Sequence, residues 1–166
     1  MQVTRKHLAT ALVVAFVFNL VVMGAGAWYS TTNAPPIPQE VVGPDGEEIT
    51  TKDQVQAGKT VFQSDGLMNH GSILGNGAYY GPDYTADALD LKVQHMREYY
   101  ARAEYNASYA NLSAGDRAAV NATVQSELDG SEAGSVVQYS AAEAYAHQQV
   151  REEYVERYHD GEPHRG

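Results

Sequence analysis

Cysteine is absent from the 166 residues. Disulfides, thiolate catalysis, cysteine-ligated zinc, iron–sulfur clusters and thioether-linked haem are excluded with it. Basic charge is scarce: 11 Lys+Arg stand against 21 Asp+Glu, a net of -10. A nucleic-acid binder needs a basic surface to meet phosphates, so the balance argues against that class. Three phenylalanines and one tryptophan are outnumbered by 12 tyrosines, and tyrosine suits half-buried positions with a wet edge.

Catalytic punctuation is missing too. The glycines between Gly66 and Tyr84 are followed by no Gly-Lys-Ser/Thr, so they are not a phosphate loop. No H-E-x-x-H run and no G-x-S-x-G elbow occurs. Of the six histidines, His7 belongs to the N-terminal flank, and His159 and His164 to the C-terminal tail. His70, His95 and His147 stand at no metal-ligand spacing, and each reads as a surface or hydrogen-bonded histidine. The acids are too dispersed to nominate a catalytic pair.

The charge is distributed unevenly. The first acid is Glu40, and only Arg5 and Lys6 precede it, so the remainder carries a net of -12. Its lysines are Lys52, Lys59 and Lys92 alone. A dispersed acidic surface poor in lysine is what a protein working in high salt would show.

One long apolar run exists. Leu8 to Ala27 is uncharged, with Thr10 and Asn19 as its polar side chains. A helix of that length spans roughly 30 Å, the thickness of a hydrocarbon core. Arg5, Lys6 and His7 precede it and Trp28-Tyr29 follow it. Those flanks predict a retained anchor over 1–29, with the N-terminus cytoplasmic and the rest outside the cytoplasmic membrane. The competing reading is a signal peptide cleaved after Ala25-Gly26-Ala27. Three N-x-[ST] triplets, at Asn106, Asn111 and Asn121, are glycosylation candidates on the exterior side.

Beyond the anchor, 30–40 reads as a linker stiffened by Pro35, Pro36 and Pro38. Residues 41–160 read as one small, mainly helical exterior domain, and 161–166 as a polar tail. Gly43-Pro44-Asp45-Gly46 predicts a hairpin turn. Thr51…Gln54 and Ser140…Glu143 are capping boxes, and Ser113 caps a further helix bearing Val120, Val124 and Leu128. A long helix capped by Asp83 or Thr85 carries the stripe Ala86, Leu89, Val93, Met96, Tyr100, Ala103 and Ala107. Lys92, Arg97, Glu98 and Arg102 fall on its opposite, solvent face.

Residues 58–71 resemble the haem-attachment segment of a class I cytochrome c. Gly58 and Phe62 sit on the helix that precedes the attachment motif; Gly66 and Asn69 stand where its cysteines would be; His70 stands where the axial histidine would be. Continuing through Gly71, Ser72, Gly75, Gly77, Tyr79, Gly81, Pro82, Asp83, Thr85 and Asp87, the segment is similar to the N-terminal region of quinol-dependent nitric oxide reductases. The resemblance covers essentially the whole chain. It implies a membrane helix plus a cytochrome-c-like exterior domain that holds no haem. In that family one polypeptide carries this domain and then a helical membrane core with the haem and iron centres, so a chain with the exterior module alone reads as a split subunit whose partner is a separate catalytic membrane subunit, a truncated relic or a shortened paralogue. No second apolar run of spanning length follows residue 27, so none of that core is expected here. The expected role is a non-catalytic, membrane-anchored exterior module without cofactor. The alternatives are a free exterior binding or scaffold protein, and an electron carrier that holds haem non-covalently through His70.

Overall fold

The computed structural model describes residues 5–33, 37–78, 80–130 and 134–158. Tyr79, Pro35, Pro36, His159, His164 and the 161–166 tail lie outside the described residues. The chain forms two compact units, Met1–Ile37 and Pro38–Gly166, and its class is mainly α.

The first unit contains helix α1, Arg5–Thr32. It is long and apolar enough to cross a membrane. It runs on through Trp28-Tyr29 rather than stopping at the aromatic pair. The polar side chains of its apolar run bond to the helix's own carbonyls. Thr10 Oγ1 donates to Lys6 O (3.0 Å) and Asn19 Nδ2 to Ala15 O (2.8 Å). A helix in lipid requires such internal satisfaction.

The second unit opens with strands β1 (Glu40–Val42) and β2 (Glu48–Thr51). They pair antiparallel about the Gly43–Gly46 turn, as the turn residues predict. A third strand, β5 (Val136–Gln138), lies parallel to β1 and gives the order β2-β1-β5. The sequence reading missed β5. It is a three-residue run between two helices, and its partner lies almost a hundred residues upstream.

Helix α2, Lys52–Ser64, starts at the Thr51/Gln54 capping box. Helix α3, Tyr84–Tyr105, starts at Asp83 and ends at Asn106, which adopts a left-handed cap with φ 51°. Helix α4, Ala114–Gly130, follows Ser113, whose Oγ accepts from the Asp116 N–H. Helix α5, Ala141–Tyr158, starts at the Ser140/Glu143 capping box.

The core lies where α3 meets α4 and α5. Met96, Ala101, Leu112, Val120, Val124, Ala142 and Ala146 are buried in it, and Leu128 packs against it. Tyrosines ring this small core, and two of them bond through their hydroxyls. Tyr100 donates to Glu127 (2.6 Å) and Tyr109 to Asn121 Oδ1 (2.9 Å).

Two expectations for α3 need correction. Ala86, Leu89 and Ala103 of the predicted stripe are exposed, whereas Ala101 is fully buried. A 3-4 repeat drifts about 20° per heptad around a straight helix, and the buried seam turns away from it. Lys92 does not face solvent: its Nζ lies 2.8 Å from Glu143 on α5, and the two side chains are 15% and 4% exposed. Glu98 likewise turns inward, accepting from the Tyr109 N–H (2.9 Å), a bond that holds its carboxyl below the usual range.

Candidate functional site

The signature segment joins α2 to α3. Gly66, at φ 72°, reverses the chain after α2. A single 3-10 turn, Leu67–Asn69, follows and His70 caps it. Strands β3 (Ser72–Ile73) and β4 (Asn76–Gly77) then form a minimal hairpin. Its two loop residues, Leu74 and Gly75, both have positive φ, 52° and 74°. That is the backbone of a type I′ turn, in which asparagine and glycine are the favoured residues. Leucine there costs about 1 kcal/mol.

Asp83 holds this loop to α3. Its Oδ2 accepts from Ser72 Oγ (2.6 Å) and the Gly75 N–H (2.7 Å). Its Oδ1 accepts from the N–H groups of Thr85 and Ala86, both at 3.0 Å, which caps the helix. One carboxylate thus fixes the strained turn and starts the helix. Thr85 Oγ1 adds a bond from the Leu74 N–H (3.0 Å). These donors, the Ser72 hydroxyl foremost, hold the Asp83 carboxyl down at about 2.

Asp87, one turn further on, ties α3 to α5. Its Oδ2 accepts from Tyr154 OH and Arg157 Nη1, each at 2.8 Å. Burial first, then the Asp87 bond, raises the Tyr154 phenol well above its ordinary value. Tyr84 supplies the apolar link: its ring meets Phe62 of α2 edge-on at 5.8 Å and Tyr158 of α5 at 6.0 Å.

The glycines of the signature do not share one role. A Cβ on Gly71 would meet Pro82 O and the Tyr84 ring, both at 2.6 Å. A Cβ on Gly77 would overlap the Gly71 carbonyl, and one on Gly81 the His70 carbonyl. A Cβ on Gly58 would meet open space. Pro82 supplies its carbonyl to the Ser72 N–H (3.0 Å).

His70 contributes its backbone. Its N–H donates to Leu67 O (2.9 Å) and its carbonyl lies 3.4 Å from Tyr84 OH. Its imidazole is exposed. The residues present do not fit a class I haem site. There is no thiol, the candidate ligand points into solvent, and the Tyr84 ring and three glycine backbones fill the inside of the loop. Among the described residues no three His, Asp or Glu side chains gather as a metal site.

The other candidate positions lie apart from this loop. Asn106 and Asn111 are exposed, and Asn121 is half-buried against Tyr109. His95 sits 3.5 Å from Glu153. His147 packs by Tyr139, and burial, then Lys92 and Arg151, lower its imidazole below the ordinary value. Sequence reading placed Tyr84 in the signature and Tyr154 on the last helix without assigning either a role, and it missed Arg157; the abundance of tyrosine was the one signal for the first two.

Acid should therefore destabilise the second unit in two steps. Folded-state values for Asp83 and His147 both lie below their unfolded ones, so each contributes stability that is lost as pH falls. The His147 part fades on descending below 6.5, and the Asp83 part between 3.8 and about 2. Melting curves against pH should show both declines. Asp83→Asn should flatten the lower one, leaving the share of Glu98, whose carboxyl is also held down, and lower the Tm at neutral pH. An unchanged profile in that variant would remove Asp83 from its central place.

The class defined here is a mainly α unit in which two helices are joined by a glycine-rich loop organised by a structural carboxylate. The family model for the cytochrome c-like domain of the nitric oxide reductase protein NorB matches residues 38–166. The chain belongs to that family. No curated protein matches it.

Proposed function

We propose that this chain is the membrane-anchored, non-catalytic exterior module of a quinol-type nitric oxide reductase, serving denitrification or nitric oxide detoxification. The module packs on the catalytic membrane subunit, and α1 is its anchor. The N-terminus is cytoplasmic and residues 41–160 are a single domain outside the cytoplasmic membrane. The observation that carries this reading is the family match over 38–166, preceded by a helix of membrane-spanning length. The basic flank before that helix and the aromatic pair after it support the orientation.

The test is purification of the tagged full chain from native membranes. A haem-bearing subunit should emerge with it, and quinol-dependent nitric oxide consumption should belong to the complex alone. Protease added to intact spheroplasts should remove the exterior unit. Emergence of the chain without any haem-bearing subunit would count against the proposal.

Stripped of its partner, the chain should be colourless and gain no Soret band with stoichiometric haem. An exposed histidine without a shaped pocket holds haem weakly. His70→Ala should leave the fold intact. A tight complex abolished by His70→Ala would establish the electron-carrier reading instead.

Salt should stabilise the exterior unit. With a net of -12 its self-repulsion is severe at low ionic strength. Screening shortens from about 30 Å at 0.01 M to about 3 Å at 1 M. The Tm of the full chain in neutral detergent should rise over that range, and a flat response would refute adaptation to a saline exterior.

A further inference from the structure

The proposed function makes no use of the Asn-x-Ser/Thr triplets. The chain has seven asparagines, and 18 of its 166 residues are Ser or Thr. That composition gives fewer than one triplet by chance. Three occur, on the last three asparagines, and they fall within 18 residues, 106–123. Asparagine has a structural reason at two of them: Asn106 takes the left-handed cap of α3, and Asn121 accepts from Tyr109. The hydroxyl at 108 has none. Ser108 precedes the 3-10 turn Tyr109–Asn111, yet its side chain does not cap it.

Such a triplet is an acceptor for N-linked sugar. The carboxamide nitrogen attacks the anomeric carbon of an oligosaccharide carried on a lipid phosphate. The nitrogen–carbon bond forms as the bond from that carbon to the phosphate oxygen breaks. The lipid phosphate leaves with the electron pair, and the amide proton passes to base. The transferring enzyme grips the hydroxyl two residues on. A folded acceptor therefore needs an accessible amide, an uncommitted hydroxyl and a backbone outside regular helix.

The three asparagines differ on these counts. Asn106 is exposed, and 106–108 is neither helix nor strand. Neither the Asn106 amide nor the Ser108 hydroxyl makes a side-chain hydrogen bond among the described residues. Asn111 is exposed too, but its hydroxyl is committed to the start of α4. Ser113 Oγ donates to Asp116 Oδ2 (2.6 Å) and accepts from the Asp116 N–H (3.2 Å). Asn121 fails on every count. It lies inside α4 and is half-buried, its Oδ1 accepts from Tyr109 OH (2.9 Å), and Thr123 Oγ1 donates to Ala119 O (3.3 Å).

We propose that Asn106 is an N-glycosylation site and that Asn111 and Asn121 are not. The sugar comes from a lipid-phosphate-linked oligosaccharide and is transferred to the folded exterior unit, whose geometry selects among the triplets. The inference rests on the exterior placement proposed above.

Glycopeptide mass spectrometry of the full chain, purified from its native membranes, should find one oligosaccharide, on Asn106. Ser108→Ala should abolish it. That change keeps Asn106 and its left-handed cap and removes the hydroxyl alone, so a purely structural Asn106 would give no such response. Ser108→Thr should keep the sugar, and both variants should retain the helix content of the parent. Sugar that survives Ser108→Ala would overturn the inference. So would sugar on Asn111 or Asn121 at an occupancy equal to that on Asn106. A bare Asn106 in a chain whose exterior unit is removed by protease added to spheroplasts would overturn the inference and leave the proposed function standing. Protection from that protease would overturn the exterior placement, and the inference with it.

Discussion

Replacing Lys92 with alanine should destabilise the second unit, 38–166, by about 3 kcal/mol, the low end for breaking a buried ion pair. The Lys92 ammonium lies 2.8 Å from the Glu143 carboxylate, which is 4% exposed, and 4.1 Å from the centre of the Tyr139 ring. Truncation removes the cation from that carboxylate and opens space beside the aromatic ring. A loss of this size is a large fraction of the ~5–15 kcal/mol that a domain has in hand. It should appear as a Tm lower by roughly 10 °C. Glu143 has a second task, since its other oxygen accepts from the Ser140 N–H (3.1 Å) at the start of α5. Glu143→Gln keeps that acceptor and removes the charge. In the Lys92→Ala background it should therefore recover much of the loss, and the double-mutant cycle should give a coupling above about 1 kcal/mol. Equal and additive losses from the two changes would show that the pair contributes little.

This pair marks the limit of what the sequence discloses. Caps are local, so they were legible: Thr51/Gln54, Asp83, Ser113 and Ser140/Glu143 all start helices as read. Val120 and Val124 were legible as core because they are four residues apart on a single face. Lys92 was not, because a lysine outside an apolar stripe reads as solvated until its helix acquires a neighbour. Glu143, its partner, was visible only as a capping residue. Strand β5 depends on a pairing with β1 almost a hundred residues upstream, and three residues carry no periodic signal. At the signature loop, the glycine and Asp83 positions were legible as a pattern. What each does depends on which carbonyl or hydroxyl the folded chain brings to it, and the pattern alone treats all its glycines alike.

Two alanine substitutions within that pattern should have opposite signs. Gly81→Ala places a Cβ on the His70 carbonyl, with the Gly71 Cα 3.0 Å away. Both obstacles are backbone, so no rotamer change relieves them. The chain must instead move Gly81 away from the 3-10 turn. Pro82 and Asp83 follow directly, and they anchor β3 through the Ser72 N–H and hydroxyl (3.0 and 2.6 Å). The cost should be about 3 kcal/mol, the upper part of the range for overpacking, with α3 fraying at its capped end. Gly58→Ala adds a methyl group that meets nothing within 4 Å, in the interior of α2. There the replacement of glycine lowers the entropy of the unfolded chain and raises helix propensity, so stability should rise by about 0.5–1 kcal/mol. Thermal melts of the two full-length variants decide the matter. A neutral Gly81→Ala would mean that the loop does not pack on the His70 carbonyl. A destabilising Gly58→Ala would mean that the open side of α2 is closed by something in the folded protein, and a second copy of the chain would be the first occupant to test by sedimentation.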